Sequence, residues 1–301
     1  MRIAHLSDLH LLALDGVPPR RFVGKRVTGW LNLRLRRGDK HKLAVAQHVA
    51  RAVRAHDIDH VVVTGDVSNL SLETEFEVVK SFLEHDIGFE PERLSLVPGN
   101  HDAYTRGAYK SRRFEHFFGA YITSDLPGAT GVPEVGRFPY VRLRGDVAII
   151  GLSTAVPSPP LVASGKLGKA QRMALHSLLA HREVRRRFPV VLQHHPWHNP
   201  PGARHRLLEG LLDAEEEAEV LKVIDRGLLL HGHKHRRIHR VIPTERGHID
   251  AIGSTSASLI DEDLDRMAGF NVYEIDRDLL NVSAFRYEPS GALVATNVPR
   301  A

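Results

Sequence analysis

Apolar and polar positions follow two different patterns along the chain. Short apolar or β-branched runs, such as RIAHL at 2–6, HVVVT at 60–64 and GLLL at 227–230, are typical of buried strands. Between such runs, apolar residues recur at helical spacing. This second pattern predicts helices over 41–56, 71–84, 106–118, 167–186 and 214–225. The alternation of strands and helices indicates a layered α/β core.

Strands become more frequent after residue 139. The segment YVRLRGDVAIIG predicts two strands joined by a tight turn at Arg144-Gly145-Asp146. The tail (IHRVI, HIDAIGS, FNVYEID and LLNVSAFRYE) predicts a series of strands, the last two joined by a hairpin at Arg277-Asp278. No internal repeat or long linker interrupts these patterns. We therefore expect mixed sheets within a single domain over 1–301.

The composition narrows the classes of site that the chain can hold. It contains no cysteine, which excludes disulfides and cysteine-ligated zinc or iron–sulfur centres and favours a reducing compartment. Its 20 histidines supply many potential metal ligands, and the net charge of +5 suggests an anionic substrate or surface. The N-terminal apolar stretch is interrupted by His5, Asp8 and His10, unlike a signal peptide. No run reaches the roughly 18 apolar residues of a membrane span. We therefore expect a soluble, cytoplasmic protein.

Asp, Asn and His residues follow five of the predicted strands. They stand in the segments SDLH, TGDVSN, PGNHD, LQHHP and HGHKH. In open α/β sheets, ligands bind outside the carboxyl ends of the strands, so these segments are expected to converge. In Asp8-Leu9-His10 and again in His233-Lys234-His235, the i,i+2 spacing points both polar side chains the same way. Each segment alone is consistent with an ordinary turn or cap, whereas all five together predict one metal-binding site.

This ordered set (DxH, GD, GNHD, HHP and GHxH), which spans Asp8 to His235, resembles the calcineurin-like metallophosphoesterase superfamily. The resemblance implies a four-layer α/β/β/α sandwich of two mixed sheets flanked by helices, with a two-metal centre between the sheets. It further implies that one metal is bound by Asp8, His10, Asp66 and His235. The other metal is then bound by Asp66, Asn100, His194 and His233, with Asp66 as the bridge. None of these ligands is missing, which disfavours a non-catalytic scaffold.

Four further residues are candidates for roles around the metals. His194 is preferred over His195 as the ligand because the ligand in similar sequences stands two residues before the proline of the HHP segment. His195 and Asn69 are then expected to contact the substrate. His101 is the candidate general acid for the leaving group, and Asp102 is expected to orient the imidazole of His101.

The implied chemistry is hydrolysis of a phosphate ester. Two divalent ions, roughly 3.5–4 Å apart, supply a strong nucleophile, the hydroxide that bridges them, and neutralise charge on the phosphoryl oxygens. Mixed His, Asp and Asn ligands suit Mn, Fe, Zn or Co better than Ca. The resemblance therefore implies a metal-dependent phosphodiester hydrolase whose metal identity is not encoded in the motifs.

The segment at about 16–42, between the first strand and the first long helix, is both basic and apolar. Over residues 20–42 it carries nine Lys or Arg residues against one Asp. We consider three roles: packing on the core, a cap that recognises an acidic or amphiphilic substrate, and peripheral contact of residues 20–42 with the anionic surface of the inner membrane. Nucleic acid is disfavoured as a partner, because Phe22 and Trp30 are too few for a base-stacking platform.

The leading expectation for the substrate is a phosphodiester of the nucleotide or cyclic-nucleotide type, because most similar sequences with GNHD and HHP resemble such phosphodiesterases. The alternative is a membrane-surface pyrophosphatase that cleaves a lipid-linked diphosphate such as UDP-2,3-diacylglucosamine. In that case the basic and apolar insert would admit the acyl chains. The sequence does not specify an oligomeric state.

Overall fold

Two six-stranded sheets form the centre of the molecule. The computed structural model describes residues 1–32, 40–199, 202–277 and 279–300. The first sheet has the order β12-β11-β10-β1-β2-β3 and contains β1 (Arg2–Leu6), β2 (His60–Thr64), β3 (Leu94–Val97), β10 (Gly269–Asp276), β11 (Leu279–Tyr287) and β12 (Leu293–Thr296). The second sheet has the order β4-β5-β6-β7-β9-β8 and contains β4 (Tyr140–Arg144), β5 (Val147–Gly151), β6 (Phe188–Leu192), β7 (Arg226–His231), β8 (Ile238–Pro243) and β9 (His248–Gly253).

Both sheets are mixed. In the first sheet β1, β2 and β3 are parallel, whereas β10 pairs antiparallel with β1. In the second sheet β5, β6, β7 and β9 are parallel, and the two edge strands, β4 and β8, are antiparallel to their neighbours. Parallel strands place their carboxyl ends along one edge of a sheet, so the loops that follow β1, β2, β3, β6 and β7 can meet.

Helices cover the outer face of each sheet. They are α1 (Lys25–Asn32), α2 (Leu43–Ala55), α3 (Glu73–Ser81), α4 (Arg106–Lys110), α5 (Arg113–Phe118), α6 (Lys169–Ala180), α7 (Arg182–Arg185), α8 (Ala203–Glu209) and α9 (Ala214–Leu221). The period of two along β6 shows how the layers form: Val190 and Leu192 enter the core between the sheets, while Val191 faces the core beneath α6 and α9. The predicted four-layer α/β/β/α sandwich of two mixed sheets is confirmed.

One buried cation links the two sheets. Arg142 lies on β4 and is fully buried. Its guanidinium donates to the carbonyl of Leu94 at 2.7 Å, at the start of β3, and to the carbonyl of Ala120 at 2.8 Å. It also donates to Thr123 Oγ1 at 2.9 Å. Five guanidinium donors can thus be satisfied by oxygens of the neighbouring layer without a carboxylate partner.

Several element boundaries differ from the sequence predictions. The helix predicted over 167–186 is two helices, α6 and α7, because His181 between them has extended backbone and its Nδ1 accepts from the amide of Glu183 at 3.2 Å. The helix predicted over 71–84 begins at Glu73 and continues as a π-helix over Phe82–Ile87. Ser71 lies before this helix, and its hydroxyl donates to the carbonyl of His101 at 3.0 Å.

The insert at 16–42 packs against the loop that follows β2. Arg26 on α1 is buried and donates to the carbonyls of Leu70 at 2.9 Å and Ser71 at 3.0 Å. The ring centroids of Phe22 and Trp30 lie 6.2 Å apart, and both rings contribute to a small apolar cluster that includes Leu70. These contacts fix α1 beside the carboxyl end of β2. Residues 33–39 of the insert and Asp278 of the predicted hairpin lie outside the described residues.

Candidate metal centre

The loops at the carboxyl ends of five strands bring the predicted ligands together. Asp8 and His10 follow β1, Asp66 follows β2, Asn100 follows β3, His194 follows β6, and His233 and His235 follow β7. Backbone hydrogen bonds join the first two loops directly, because the amides of Asp8 and His10 donate to the carbonyls of Gly65 and Asp66, both at 3.0 Å. The predicted convergence of the strand ends is therefore present in the structure.

Five of these residues have a left-handed backbone, which is uncommon for residues other than glycine. They are Asp8 (φ 50°), His10 (φ 46°), Asp66 (φ 50°), His233 (φ 71°) and His235 (φ 48°). Such conformations persist when the surrounding structure holds them, and they cluster at functional sites. These turns direct the side chains that follow β1, β2 and β7 toward the same site.

Two glycines allow the loops to approach each other. A Cβ at Gly99 would collide with the carboxylate of Asp66, and a Cβ at Gly232 would collide with the side chains of Ser7 and Asp8. These two positions explain why the GNHD and GHKH segments each begin with glycine: any larger residue would push the ligand loops apart.

One group of ligand atoms surrounds Asp8. Its Oδ1 lies 3.2 Å from His235 Nε2 and 3.9 Å from His10 Nε2. His10 Nε2 also lies 3.2 Å from His235 Nε2 and 3.8 Å from Asp66 Oδ2. The four residues that were predicted to bind the same metal are thus within a few ångströms of one another.

A second group surrounds the other side of Asp66. Its Oδ2 lies 3.3 Å from His194 Nε2, which in turn lies 3.2 Å from Asn100 Oδ1. The rings of His194 and His233 are 5.1 Å apart, and His233 Nε2 is 2.9 Å from the carbonyl of Glu209. Since that bond uses Nε2, Nδ1 is the nitrogen that His233 can offer to the centre. Asp66 Oδ2 faces both groups, as a bridging carboxylate must.

The donor atoms of the two groups fit bound cations. His194 Nδ1 lies 2.8 Å from the carbonyl of Thr64, so Nδ1 carries a proton and Nε2 is the nitrogen that faces two oxygens, on Asp66 and Asn100. Within the described part of the chain, buried Asp8 Oδ1 accepts no hydrogen bond. Buried carboxylate oxygens and imidazole nitrogens that face one another need a positive charge between them, either a proton or a metal ion. These residues therefore form candidate metal-ligand groups.

The electrostatic environment keeps three of the candidate ligands in the form that binds metals. Burial alone would raise the pKa of Asp66, but His194, His101 and His10 outweigh burial and hold this pKa well below its usual value. Burial, together with neighbouring imidazoles, lowers the pKa of His10 and of His233 well below the usual value. Metal ligands must be deprotonated, so an ionised Asp66 and neutral imidazoles are ready to coordinate. For His194, burial is outweighed by Asp66 and Asp8, and its pKa is raised to about 9.

His101 lies at the edge of the centre. Its ring is 5.0 Å from that of His10, and its amide donates to Asp66 Oδ1 at 2.7 Å. On the other side, the ring of Tyr104 stacks on His101 with a centroid distance of 5.5 Å and an interplanar angle of 19°. His101 is partly exposed, whereas Asp66 is buried, so the imidazole can meet a substrate that approaches from solvent.

The structure corrects the expected partner of His101. Its Nδ1 lies 2.7 Å from the carbonyl of Asn69, which therefore orients the imidazole. Asp102 instead accepts hydrogen bonds from the amides of Ser68 and Gly99, both at 2.9 Å, and from the hydroxyl of Ser68 at 2.8 Å. Asp102 thus holds the loop that carries Asp66. Burial is the main cause that raises the pKa of Asp102 to about 7, and Asp66 adds to it.

The two candidates for substrate contact are both engaged within the protein. His195 Nδ1 lies 2.8 Å from Thr154 Oγ1, and its Nε2 lies 2.9 Å from the carbonyl of Ala163. Asn69 donates from Nδ2 to the carbonyl of His10 at 2.8 Å. These bonds give both residues a supporting position next to ligands. Their contact with substrate stays a prediction.

The motifs do not include one histidine that the structure places at the centre. His41 lies at the end of the insert, and its ring lies 4.6 Å from the ring of His10 and 5.5 Å from that of His235. In the sequence, His41 stands at the start of a helical pattern and belongs to no strand end. Contacts with residues 258–260, far along the chain, bring it here.

A cavity opens beside His101 and is formed partly by the insert. It measures about 520 Å³ and is lined by residues 23–26, 104–106 and 157–159. Lys25 Nζ lies 4.4 Å from the centre of the Tyr104 ring. Burial lowers the pKa of Lys25 to about 8, while Asp66 opposes this change. The cavity therefore places a positive charge within electrostatic reach of the metal centre.

Comparisons with known proteins identify a matching family and proteins of similar fold. A family model described as calcineurin-like phosphoesterase matches residues 1–237. The fold is similar to that of a dimetal phosphatase from Danio rerio, with a TM-score of 0.61 and 16% identity over 94% of this chain and 95% of that protein. It is also similar to a purple acid phosphatase from yellow lupin, with a TM-score of 0.51 and 12% identity over 98% of this chain and 52% of that protein. A comparison with curated protein sequences found no match.

Proposed function

Because the chain belongs to the calcineurin-like phosphoesterase family, we propose that it is a two-metal phosphodiester hydrolase that acts on a nucleotide-type or cyclic-nucleotide substrate. The observation that carries this proposal is the convergence of the strand-end side chains around Asp66, whose Oδ2 faces both His10 at 3.8 Å and His194 at 3.3 Å. A single carboxylate oxygen between two ligand groups is the arrangement that a pair of neighbouring ions requires.

The residues that would hold the two ions follow from these groups. The first ion would be bound by Asp8, His10, Asp66 and His235, and the second by Asp66, Asn100, His194 and His233. The chemistry that such a pair supplies when bound is a strong nucleophile at neutral pH and neutralisation of charge on the phosphoryl group. The mixed nitrogen and oxygen donors suit Mn, Fe, Zn or Co.

His101 would protonate the leaving group. Because its Nδ1 donates to the carbonyl of Asn69, the proton that it transfers must come from Nε2 of the imidazolium form. Transfer leaves the neutral tautomer with its proton on Nδ1, which keeps the bond to Asn69. Asp66 lies close enough to stabilise the imidazolium before the transfer. The stacked ring of Tyr104 holds the plane of the imidazole.

The cavity beside His101 supports a substrate that carries more charge than the scissile phosphate alone. Lys25 and Arg106 line it together with Arg26, whose guanidinium is already bonded to two carbonyls. Among the described residues that line the cavity there is no carboxylate. Its volume of about 520 Å³ is within the range of pockets that hold small molecules. A nucleotide would place an anionic or polar portion there.

Exposed apolar residues of the insert favour a second candidate substrate. Val23 is 65% exposed, Val27 is 45% exposed and Leu31 is 49% exposed. The spacing of four residues places Val27 and Leu31 on one side of α1, while Val23 precedes the helix and also lines the cavity. An exposed apolar row next to lysine and arginine suits an acyl chain or a lipid surface, as a lipid-linked diphosphate such as UDP-2,3-diacylglucosamine would require. Among the described residues, no helix combines the length and the apolar composition needed to span a bilayer.

A substrate panel tests the proposal and separates the two candidates. Protein loaded with Mn, Fe, Zn or Co should hydrolyse bis(p-nitrophenyl) phosphate and a nucleotide diester or cyclic nucleotide without detergent, and Asp66→Asn should abolish the activity. Hydrolysis restricted to UDP-2,3-diacylglucosamine would favour the second candidate. In that case Val27→Gln should weaken turnover, whereas the exposed control Val241→Gln on β8 should not. Failure to hydrolyse any of these substrates with any of the four metals would contradict both.

A further inference from the structure

His41 is held firmly beside the metal centre, although it belongs to none of the strand-end segments. Its backbone pairs with Leu259, and the neighbouring amides of Lys42 and Ile260 donate to the carbonyls of Ser258 at 3.0 Å and Lys40 at 2.8 Å. These bonds join the end of the insert to the segment that follows β9. Backbone hydrogen bonds of the residues before and after His41 thus fix its position.

The ring of His41 lies close to the rings of two predicted ligands, His10 and His235. One nitrogen from each of His10, His41 and His235 lies within 4.8 Å of the other two. Two imidazole nitrogens bound to one ion at about 2.1 Å can be no farther apart than about 4.2 Å. His10 Nε2 and His235 Nε2, at 3.2 Å, already satisfy this limit, and the nitrogen of His41 lies within 4.8 Å of both, so all three nitrogens can reach one ion with at most a small movement of the His41 ring.

The second nitrogen of His41 is anchored in the way that metal-bound histidines are. His41 Nδ1 lies 2.8 Å from Ser258 Oγ. Ser258 Oγ lies 3.3 Å from Ser256 Oγ, which donates to the carbonyl of Asp8 at 2.6 Å. Metal-ligating histidines almost always use their other ring nitrogen in a hydrogen bond that fixes the ring. The bond to Ser258 assigns Nε2 as the coordinating atom of His41.

From this geometry we infer that His41 is a further ligand of the ion that Asp8, His10, Asp66 and His235 would hold. The inference rests on the proposed metal centre and adds a residue from outside the family's motifs. The two sites would then differ in their number of imidazole ligands. Three imidazoles would bind the first ion, whereas two, from His194 and His233, would bind the second. Because imidazole suits Zn and Fe better than Mn, the first site should be the more selective for Zn or Fe.

Zinc binding measured by competition with a chromophoric chelator tests this assignment without any measurement of turnover. The wild type should bind two Zn²⁺ ions per chain. His41→Ala should weaken one of the two binding steps by at least about 10-fold, since even supporting partners of ligands cost 10–100-fold. The other step should stay unchanged, because His41→Ala removes none of the side chains that would bind the second ion. The matched control is His48→Ala, because half-buried His48 on α2 contacts Tyr287 and not the centre, and it should change neither step.

Ser258→Ala offers an independent variant in which His41 is kept. Removal of the hydroxyl that orients Nδ1 should weaken the same zinc step by a smaller factor, and X-ray absorption should count fewer nitrogen ligands per zinc in His41→Ala than in the wild type. Unchanged affinity of both steps in His41→Ala would overturn the inference, as would a raised KM with unchanged zinc affinity, which would place His41 on the substrate. If His41→Ala does not fold, an unchanged zinc step in Ser258→Ala overturns it. A wild type that binds no zinc would refute the metal centre and this ligand together.

Discussion

Glu217 gives a prediction whose size follows from the structure. This residue on α9 is fully buried, and its Oε2 accepts a hydrogen bond from Gln193 Nε2 at 3.3 Å. Among the described residues, Oε1 has no hydrogen-bond partner. Burial is the main cause that raises the pKa of Glu217 from 4.5 to about 8, and it outweighs the hydrogen bond from Gln193. The folded protein therefore holds a neutral carboxylic acid at pH 7, whereas the unfolded chain holds a carboxylate.

The sign of the effect on stability follows from these two pKa values. Since the folded pKa is higher, the favourable contribution of protonated Glu217 is complete below pH 4.5 and is lost as the pH rises to about 8. The difference between the two values corresponds to a loss of about 5 kcal/mol. Glu217→Gln cannot ionise. The variant should therefore gain stability relative to the wild type by up to about 5 kcal/mol between pH 4.5 and 8.

Urea unfolding of both proteins at several values between pH 4 and 9, with a chelator present, measures this difference. Chelation removes the separate pH dependence of metal binding. Glu216→Gln is the matched control, because Glu216 is the exposed neighbour on the same helix and its substitution should leave the pH profile unchanged. If the difference between Glu217→Gln and the wild type stays constant across the range, the buried neutral acid is refuted.

The same group affects the candidate site. Gln193 Nε2 is shared between Glu217 and the carbonyl of His195, at 2.9 Å. Ionisation of Glu217 would strengthen its hydrogen bond from Gln193 and weaken the bond from Gln193 to the carbonyl of His195. That second bond holds the end of β6, which is followed by His194. Alkaline pH should therefore loosen one ligand of the centre as well as lower the free energy of unfolding.

Three further substitutions have defined outcomes. Asp66→Asn should leave fewer than two metal ions per chain by elemental analysis, because one shared carboxylate faces both ligand groups; full metal content would contradict the bridging role. His101→Ala should keep the metals but lower kcat about 10²–10⁴-fold for an alkyl leaving group, and least for nitrophenyl esters; an equal loss for both substrates would exclude the role of proton donor. Arg142→Met should lower the free energy of unfolding by about 3–5 kcal/mol, because several buried carbonyls lose a charged donor; a change below about 1 kcal/mol in urea unfolding would contradict this account.

The positions of the ligands were predictable because they depend on local patterns. An apolar run marks each buried strand, and the polar residues directly after it must lie at the carboxyl edge of the sheet. The i,i+2 spacing of Asp8 and His10 also indicates their shared direction. The family resemblance then assigns the order of the segments, and the two mixed sheets flanked by helices confirm the fold that it implies.

What the sequence did not reveal depends on contacts between distant segments. His41 is held at the centre by pairing with Leu259 and by its bond to Ser258, which no local period encodes. Asp102 follows His101 directly, yet the turn directs its carboxylate to the amides of Ser68 and Gly99. Adjacency in sequence therefore did not give adjacency of side-chain atoms. The break at His181 likewise depends on one backbone conformation within an unbroken apolar pattern.

The place of β1 in the first sheet has a consequence for biosynthesis. This strand lies between β2 and β10, so residues 2–5 pair with residues 271–274 from the far end of the chain. A nascent polypeptide that has grown past His235 already contains every motif residue of the centre, but the ribosome has yet to supply one neighbour of the strand that carries Asp8. Domains fold as units as their segments emerge. Ion capture should therefore be a late event in maturation, completed once the strand at 269–276 has docked.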